Sequence, residues 1–318
     1  MYCGNCILHR ATNSILAGKT CSTRKYNHTH MQPNLQAVLD ITVTIARGAG
    51  EILRAGVADA TRGSIDYKTS EIDPVTEYDR RSEAYIVGEL QKHFPHDSIV
   101  GEEGGDYERD SNPASGGSRK WFVDPIDGTV NFAHGIPIFS VSLGLLVDGV
   151  PSVGVVYNPM TNELFAATRG GGATLNGSRI LVSPEHAMLR SLLITGFPYD
   201  RHTSAENNFD HFMNFKRTVQ AVRRLGSAAL DLCFVACGRA DGYWELKLKP
   251  HDIAAGILIV REAGGQVTDF AGREALVSTH DVVASNGHIH HMMTEILQQK
   301  SPNHPRNDKG LLQAGDGI

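Results

Sequence analysis

The segment at residues 121–129, Trp-Phe-Val-Asp-Pro-Ile-Asp-Gly-Thr, constrains the fold more than any other part of the chain. Its three apolar residues predict a buried strand, and Asp124 and Asp127 follow, three positions apart, around Pro125. Such a turn can direct both carboxylates to one point. Because two nearby anions repel unless a cation or a proton lies between them, the segment predicts a strand end that holds a metal ion or a shared proton.

Two amphipathic helices are predicted before this strand. In residues 35–53, apolar side chains recur at spacings of three and four, which indicates a first helix that ends near Gly56. A second helix is predicted from residues 76–79 to about His93, because Pro95 lies just beyond its end. Asp79 is therefore expected in the first turn of a helix.

The rest of the chain mixes short strands with helices. Strands are predicted at residues 98–101, 139–147, 153–157, 192–195 and 266–270, and helices at residues 228–236 and 252–263. The pairs Asp148-Gly149 and Asn176-Gly177 are typical of hairpin turns, so the middle of the chain is predicted to be an antiparallel meander. Because helices and strands do not alternate strictly, we expect a layered α/β fold whose first sheet is largely antiparallel.

Composition argues against two classes of partner. The formal charge is -5 without a dense run of Lys and Arg, so we expect no binding to nucleic acid. The longest apolar stretches, such as residues 253–260, are far shorter than the roughly 20 residues of a membrane-spanning helix, so we expect no membrane segment. The five cysteines do not form a disulfide framework, which fits a reducing compartment, and we expect a cytoplasmic protein.

The two ends of the chain are expected to lie outside the folded domain. Residues 1–31 carry basic but no acidic side chains and are rich in Ser, Thr and Asn. They are interpreted either as a targeting peptide, which would direct the protein to an organelle, or as an over-long start upstream of Met31. Residues 301–318 are rich in Pro, Asn, Gly and Asp and are expected to be a disordered tail. The folded domain is therefore predicted at residues 32–300.

Further acidic residues lie at the ends of predicted elements. Glu102 and Glu103 follow a predicted strand, and Asp252 begins a predicted helix. Each acid alone is more readily explained as a turn or surface residue. Together they offer only hard oxygen ligands, which favour Mg2+, Mn2+ or Ca2+ over zinc. Gly128 and Thr129 open a new segment whose backbone N–H groups could hold a phosphate.

Several other candidate ligands are interpreted as structural. His251 precedes Asp252 in the sequence and is expected to be a packing residue rather than a ligand. Three more histidines lie at a predicted helix start and are expected to be solvated: His288, His290 and His291. Cys233 and Cys237 are interpreted as small apolar residues of the core.

Four stretches of the chain together resemble the signatures of inositol monophosphatases, a family of Mg2+-dependent, lithium-sensitive sugar phosphatases. They are residues 101–103, 124–132, 226–229 and 252–256, in the order and spacing of that family. The resemblance implies alternating α and β layers of the inositol monophosphatase and fructose-1,6-bisphosphatase type. It also implies that residues 32–300 form a catalytic domain and that the protein is a homodimer.

The resemblance assigns metal ligands residue by residue. Glu102, Asp124 and the main-chain carbonyl of Ile126 match the ligands of a first Mg2+ ion. Asp124, Asp127 and Asp252 match those of a second, so Asp124 would bridge the two ions. Glu102 would also touch a third, weaker ion, and Mn2+ is an expected substitute for Mg2+.

The resemblance also assigns catalytic and substrate-binding roles. Asp79 and Thr129 match the pair that orients and deprotonates the attacking water, and the amides of Gly128 and Thr129 match those that hold the phosphate. Lys68 matches a position near the metal site. The positions that contact the polyol in the family are matched by Asp127, Ser227, Ala228, Glu245 and Asp252.

The expected activity is Mg2+-dependent hydrolysis of a small phosphate ester, myo-inositol 1-phosphate. Within the same fold, the alternatives are a phosphatase for fructose 1,6-bisphosphate, a nucleotide 3'-phosphate or histidinol phosphate. His251 stands where an aromatic Trp is common in the family, which leaves the fine substrate preference open. A different class, a catalytically silent binding or regulatory relative, is disfavoured because such a protein has no need to keep mutually repelling acids.

Overall fold

A computed structural model describes residues 34–60, 66–67, 74–107 and 118–299. The expectations for residues 1–31 and 301–318 lie outside the described residues, and so does Lys68. All described residues belong to one compact unit within residues 32–318.

Helices and strands alternate irregularly along the chain, as the sequence predicts. The described helices are α1 (Leu35–Ala60), α2 (Glu77–His93), α3 (Thr129–Ala133), α4 (Phe209–Lys216), α5 (Ala228–Ala236), α6 (Pro250–Glu262) and α7 (His290–Gln298). The described strands are β1 (Asp66–Tyr67), β2 (Pro74–Val75), β3 (Ser98–Gly101), β4 (Asp106–Tyr107), β5 (Arg119–Asp127), β6 (Ser140–Val147), β7 (Val150–Asn158), β8 (Glu163–Thr168), β9 (Gly172–Leu175), β10 (Ser178–Arg179), β11 (Leu192–Thr195), β12 (Ala221–Arg223), β13 (Gly242–Glu245), β14 (Gln266–Asp269) and β15 (Val282–Ser285).

Two large sheets organise the molecule. The first has eight strands in the order β10-β9-β8-β7-β6-β5-β3-β4, and only its β3–β5 pair is parallel. The run from β5 through β10 is an antiparallel meander, which confirms the sequence prediction. The second sheet has five strands in the order β12-β11-β13-β15-β14 and is mixed, because β11 pairs in parallel with both of its neighbours.

The sheets and helices stack in alternating layers. α1 and α2 pack on one face of the eight-stranded sheet, α5 and α6 lie between the two sheets, and α4 and α7 cover the other face of the five-stranded sheet. A separate apolar cluster fills each interface between these layers. Successive side chains of a strand face opposite sides, so Tyr243 of β13 joins the cluster around α5 and α6 while Trp244 joins the one around α7.

Two glycines let α6 lie close against the first sheet. A Cβ on Gly144 of β6 would lie 2.6 Å from the Cβ of Ala254, and one on Gly154 of β7 would lie 2.8 Å from the carbonyl oxygen of Ala255. A side chain at either position would push the helix away from the sheet. The close packing brings the first turn of α6, which carries Asp252, over the sheet and into contact with β5.

The first helix is longer than predicted. α1 continues to Ala60 rather than ending near Gly56. A Cβ on Gly56 would lie 2.4 Å from Cδ1 of Tyr78 on α2. Gly56 therefore marks a close approach between two helices, which a sequence pattern cannot distinguish from a helix end.

The strand that carries the acids is also longer than predicted. β5 continues past Val123 to Asp127, and the pairing with β6 shifts between Asp124 and Asp127. Pro125 has no N–H group to donate, so the regular ladder cannot continue through it. The two carboxylates therefore lie within a bulged strand end rather than beyond it.

One of the three histidines at the start of α7 is not solvated. His288 and His291 are exposed as expected, whereas His290 is only 4% exposed. Its two ring nitrogens hydrogen-bond with the hydroxyls of Thr268 and Ser285, each at 2.9 Å. Burial lowers the pKa of His290 to about 4, so the neutral ring is a core residue.

In the described parts of the chain, no helix has the length and apolar character needed to cross a membrane.

Candidate active site

An open cleft of about 820 Å³ lies where the ends of β3 and β5 meet α6 and the start of α5. Most of the site residues predicted from the sequence line this cleft. They are Glu102, Asp124, Ile126, Asp127, Gly128, Thr129, Ser227, Ala228, Glu245 and Asp252. Asp79 lies behind the cleft wall in contact with Thr129.

The turn after Asp124 is held by local hydrogen bonds. The backbone N–H of Ile126 donates to Asp124 Oδ1 at 3.0 Å, and the Thr129 hydroxyl lies 3.0 Å from the carbonyl oxygen of Ile126. Gly128 closes the turn with φ +102°, a conformation that side chains rarely adopt. A Cβ there would also lie 3.0 Å from the carbonyl oxygen of Gly226. The segment thus needs glycine at this position for two independent reasons.

Asp79 and Thr129 form the pair that the sequence predicts. Asp79 is fully buried, and its Oδ1 accepts a hydrogen bond from Thr129 Oγ1 at 3.2 Å. Its Oδ2 accepts from the Thr76 N–H at 2.7 Å and the Thr76 hydroxyl at 2.6 Å, in a capping box that begins α2. The helix cap therefore fixes the orientation of the carboxylate that faces Thr129.

Asp127 joins the bulged end of β5 to the first turn of α5. Its Oδ1 accepts from the Ala228 N–H at 3.0 Å, and its Oδ2 accepts from the Ala229 N–H at 2.8 Å and from the Ser227 hydroxyl. The first N–H groups of a helix have no partner within the helix, so a carboxylate is a favourable partner there. Ser227 and Ala228 thus position Asp127 as well as lining the cleft.

Four carboxylates crowd this end of the cleft: Glu102, Asp124, Asp127 and Asp252. Burial first, and then the negative charges of the other three, hold the pKa of Asp124 well above its usual range. Burial also raises the pKa of Asp127 to about 7, although hydrogen bonds from Ser227, Ala229 and Ala228 oppose the rise. Without cations, Asp124 and Asp127 retain protons that water-exposed carboxyls would lose.

The donor set fits a hard divalent metal ion. Oxygen atoms of Glu102 and Asp124 lie within 4.8 Å of each other and of a ring nitrogen of His251. Buried carboxylates that repel one another are stabilised by a bound cation, and carboxylate oxygens favour Mg2+ or Mn2+. The residues present therefore fit the metal-dependent site that the sequence predicts.

Glu102 is held by a residue that the sequence reasoning missed. Glu83 of α2 is 3% exposed, and its carboxylate accepts from the backbone N–H of Glu103 at 2.8 Å and from that of Gly104. These bonds tie down the turn that follows β3 and carries Glu102. Glu83 lies one helix turn after Asp79, so a helical spacing of four on the same face of α2 was the available signal.

His251 lies within the acid cluster rather than in the core. Its Nε2 is 3.8 Å from Glu102 Oε1 and 3.6 Å from Asp252 Oδ1, and its side chain is 8% exposed. On sequence alone, His251 is interpreted as a packing residue. The side chain is buried, as that interpretation expects, but it lies beside the acids. Its place beside Asp252 in the sequence was the signal that could have indicated this.

The opposite side of the cleft carries two further carboxyl groups. Glu245, at the end of β13, accepts a hydrogen bond from the Tyr243 hydroxyl at 2.7 Å, and burial raises its pKa to about 7. Asp231 of α5 lines the same side and is 1% exposed, and its Oδ1 has no hydrogen-bond partner among the described residues. Burial and the charge of Glu245 raise the pKa of Asp231 well above its usual range. Sequence reasoning missed Asp231, which follows the Gly226–Ala229 signature.

Comparisons with known proteins agree with the geometry. The model of the Inositol monophosphatase family matches residues 34–302. The chain is 47% identical over 225 residues to an inositol-1-monophosphatase of Synechocystis sp., which covers 71% of this chain and 77% of that protein. It is 40% identical over 269 residues to the Nus factor SuhB of Pasteurella multocida, covering 84% of this chain and 97% of that protein.

A solved structure shares the fold. The inositol monophosphatase from Anabaena (Nostoc) superposes with a TM-score of 0.74 at 42% identity, covering 83% of this chain and 96% of that one. The layered fold, the family match and the two relatives all support the resemblance carried by the four signature stretches. The chain belongs to the inositol monophosphatase family, a family of metal-dependent phosphatases that act on small phosphate esters.

Proposed function

We propose that this protein hydrolyses myo-inositol 1-phosphate, or a closely related polyol phosphate, in a Mg2+-dependent reaction. One observation carries the proposal: four carboxylates converge in one cleft beside the hydrogen-bonded pair of Asp79 and Thr129. The similarity to an inositol-1-monophosphatase of Synechocystis supports this choice of substrate.

The carboxylates are proposed to hold the metal ions. Glu102, Asp124 and the carbonyl of Ile126 would hold one Mg2+ ion, and Asp124, Asp127 and Asp252 a second, with Glu102 also touching a third. When bound, the ions lower the pKa of water and neutralise charge on the attacking and leaving oxygens. Ile126 is suited to this role because its N–H group already fixes Asp124 within the same turn.

Asp79 and Thr129 are proposed to take the proton from the attacking water. The Thr129 hydroxyl can donate its proton to Asp79 Oδ1 and accept one from a water molecule in the cleft. Buried Asp79 then holds the proton while the new P–O bond forms and the ester P–O bond breaks, and the leaving alcohol oxygen takes a proton from water in the open cleft. The hydrogen bonds from Thr76 keep Asp79 oriented during this transfer. No covalent phosphoenzyme is required.

The remaining lining residues are proposed to bind the substrate. Gly128 directly precedes α3 and Thr129 is its first residue, so their amides are suited to hold phosphate oxygens. Glu245 is suited to accept hydrogen bonds from neighbouring hydroxyls of a polyol. The proposed polyol contacts are Asp127, Ser227, Ala228, Glu245 and Asp252, and Lys68, outside the described residues, remains a proposed neighbour of the metal site.

A second candidate is suggested by the relatives named Nus factor SuhB. Such a name describes a factor rather than an esterase, so this chain could also have a binding or regulatory role. The complete set of acids disfavours a role in binding alone, because mutually repelling carboxylates destabilise a protein that does not use them. A homodimeric state and a cytoplasmic location remain our proposals, with an organelle as the alternative if residues 1–31 are a targeting peptide.

Phosphate release by the purified protein tests the proposal. The substrates are myo-inositol 1-phosphate, fructose 1,6-bisphosphate, adenosine 3',5'-bisphosphate and histidinol phosphate, each with Mg2+ and with EDTA. We expect Mg2+-dependent release with a preference for myo-inositol 1-phosphate. A preference for another ester would retain the mechanism and change the substrate. No release from any of them would contradict the proposal and favour the binding role.

A further inference from the structure

His251 places a nitrogen atom where the acid cluster otherwise offers only oxygen. One of its ring nitrogens, an oxygen of Glu102 and an oxygen of Asp124 all lie within 4.8 Å of one another. The fold holds this side chain beside the acids, because His251 lies in the first turn of α6 and α6 packs closely on the eight-stranded sheet. The imidazole is therefore a buried side chain beside the acid cluster rather than a mobile surface group.

These separations suit ligands of one ion. Two oxygens or nitrogens bound to one octahedral ion at about 2.1 Å lie roughly 3 to 4 Å apart. Nε2 of His251 lies 3.8 Å from Glu102 Oε1, within that range. All three groups are therefore close enough to act as ligands of one ion.

The chemistry of the nitrogen changes which metals the site favours. Imidazole suits Zn2+, Cu2+, Fe2+ and Ni2+, whereas carboxylate, carbonyl and water oxygens suit Mg2+, Ca2+ and Mn2+. An aromatic Trp at this position, which is common in the family, could not supply a lone pair to a metal. His251 thus adds a nitrogen donor to a cluster of acids that otherwise offers only oxygen.

We propose that His251 is a direct nitrogen ligand of the metal ion held by Glu102 and Asp124, and that it shifts the metal preference of this site away from Mg2+ and toward transition metals that bind imidazole. The inference rests on the metal site of the proposed function. It explains why a buried histidine faces Glu102 and Asp252 in this chain. The alternative, a histidine that only hydrogen-bonds these carboxylates without touching the metal, gives a different spectroscopic result.

Pulsed electron paramagnetic resonance of bound Mn2+ distinguishes these two roles. A nitrogen bonded directly to Mn2+ gives a strong hyperfine coupling, and labelling the protein with 15N-histidine changes its frequency. We expect this coupling in the wild-type protein and its loss in His251→Gln and His251→Trp. His202→Gln is the matched control, because His202 lines the same cleft outside the metal cluster and its replacement should leave the coupling intact.

Titration of the same variants with Mn2+ and Mg2+ provides a second readout. Mn2+ binding should weaken by about tenfold or more in His251→Gln, since even indirect partners of metal ligands typically contribute that much. Mg2+ binding should weaken less. His251→Trp restores the family residue and so keeps the test valid if His251→Gln does not fold.

Each failure has a separate meaning. Bound Mn2+ without nitrogen coupling, or coupling that persists in both His251 variants, would overturn the role of His251 and leave the metal-dependent function intact. Failure of the wild-type protein to bind Mn2+ at all would overturn both.

Discussion

On one side of the cleft the functional groups come mainly from β5 and the turn after it, whereas on the other side they come from α5, β13 and a loop distant in sequence. We call these the acid side (Glu102, Asp124, Asp127, Asp252, Asp79 and Thr129) and the substrate side (Ser227, Asp231, Glu245, Lys247 and residues 196–204). Asp124 and Asp79 on the acid side are 2% and 0% exposed. On the substrate side, Tyr199 is 47% exposed.

The two sides also differ in how they are held. On the acid side, buried hydrogen bonds within the bulged strand and at the helix starts fix the carboxylates of Asp79, Asp124 and Asp127. On the substrate side, the loop is fastened by Lys247, whose Nζ donates to Asp200 Oδ2 at 2.6 Å and to Ser204 Oγ at 2.8 Å. Partly exposed contacts of this kind contribute little stability. Reaction chemistry is therefore expected to depend on the rigid side and substrate preference on the adaptable one.

Asp124→Asn should have the largest effect, because Asp124 is proposed to bridge both ions. Metal-dependent phosphate release should fall by roughly 10³-fold or more, since a metal contributes several kcal/mol of transition-state stabilisation. The fold should persist, because asparagine has the same shape and removes a repelling charge. Asp40→Asn, on the exposed face of α1, is the control and should retain full activity. Retained turnover in Asp124→Asn would contradict the metal assignment.

Asp79→Asn should come next, with a loss of kcat of about 10²-fold or more, as is typical of a lost general base. Metal affinity should change little, because Asp79 is not proposed to be a ligand. Thr129→Ser keeps the hydroxyl and should retain most activity, whereas Thr129→Ala should resemble Asp79→Asn. Equal activity of the two Thr129 variants, measured by steady-state kinetics, would rule out a proton path through the hydroxyl.

Glu83→Gln should weaken metal binding by about tenfold, because the turn that carries Glu102 loses one of its two acceptors and gains a repelling amide. The measurement is calorimetric titration with Mg2+. Glu89→Gln, on the same helix but 30% exposed, is the matched control. If both variants bind Mg2+ as the wild-type protein does, Glu83 has no positioning role.

Glu245→Gln should alter the substrate side alone. KM for myo-inositol 1-phosphate should rise by about tenfold, which corresponds to one charged hydrogen bond of ~1.5 kcal/mol. Hydrolysis of p-nitrophenyl phosphate, which lacks neighbouring hydroxyls, should be unchanged. An equal loss of activity on both substrates would show that Glu245 affects the acid side as well as the substrate side.

The smallest expected effect is the pH dependence of the protein's stability when no metal is bound. The pKa values of Asp127 and Glu245 rise to about 7 from ordinary values of 3.8 and 4.5. Because the folded state then binds these protons more tightly than the unfolded chain, the stability they contribute is present at low pH and is lost as pH rises through about 7. In EDTA, the melting temperature should therefore decline between pH 5 and pH 8, less steeply in Glu245→Gln. Mg2+ should restore it at pH 8, and a flat profile in EDTA would contradict the charge repulsion.

The acid side could be predicted from the sequence because its groups share short segments. Asp124, Ile126, Asp127, Gly128 and Thr129 lie in one turn, and turn chemistry is a local property. The meander and most helix positions were predictable for the same reason, since hairpin turns and helical periodicity are local signals. Element ends were less accurate because close helix packing, as at Gly56, resembles a helix stop.

The substrate side and the role of His251 depend on long-range packing. Asp231 faces the cleft only because α5 is held between the two sheets, and β13, which carries Glu245, was not predicted from the sequence. Glu245 was predicted as a site residue from the family resemblance, but no local sequence pattern indicated that it lies opposite the acids. The position of His251 was also beyond local prediction. Its neighbour Asp252 in the sequence was informative, but its distance to Glu102 is a property of the fold.

Anomalous diffraction from crystals grown with Mn2+ tests the central claim most directly. The account predicts one peak between Glu102, Asp124 and the carbonyl of Ile126, and a second between Asp124, Asp127 and Asp252. Well-ordered crystals that contain Mn2+ elsewhere, but show no peak among these four carboxylates, would contradict it.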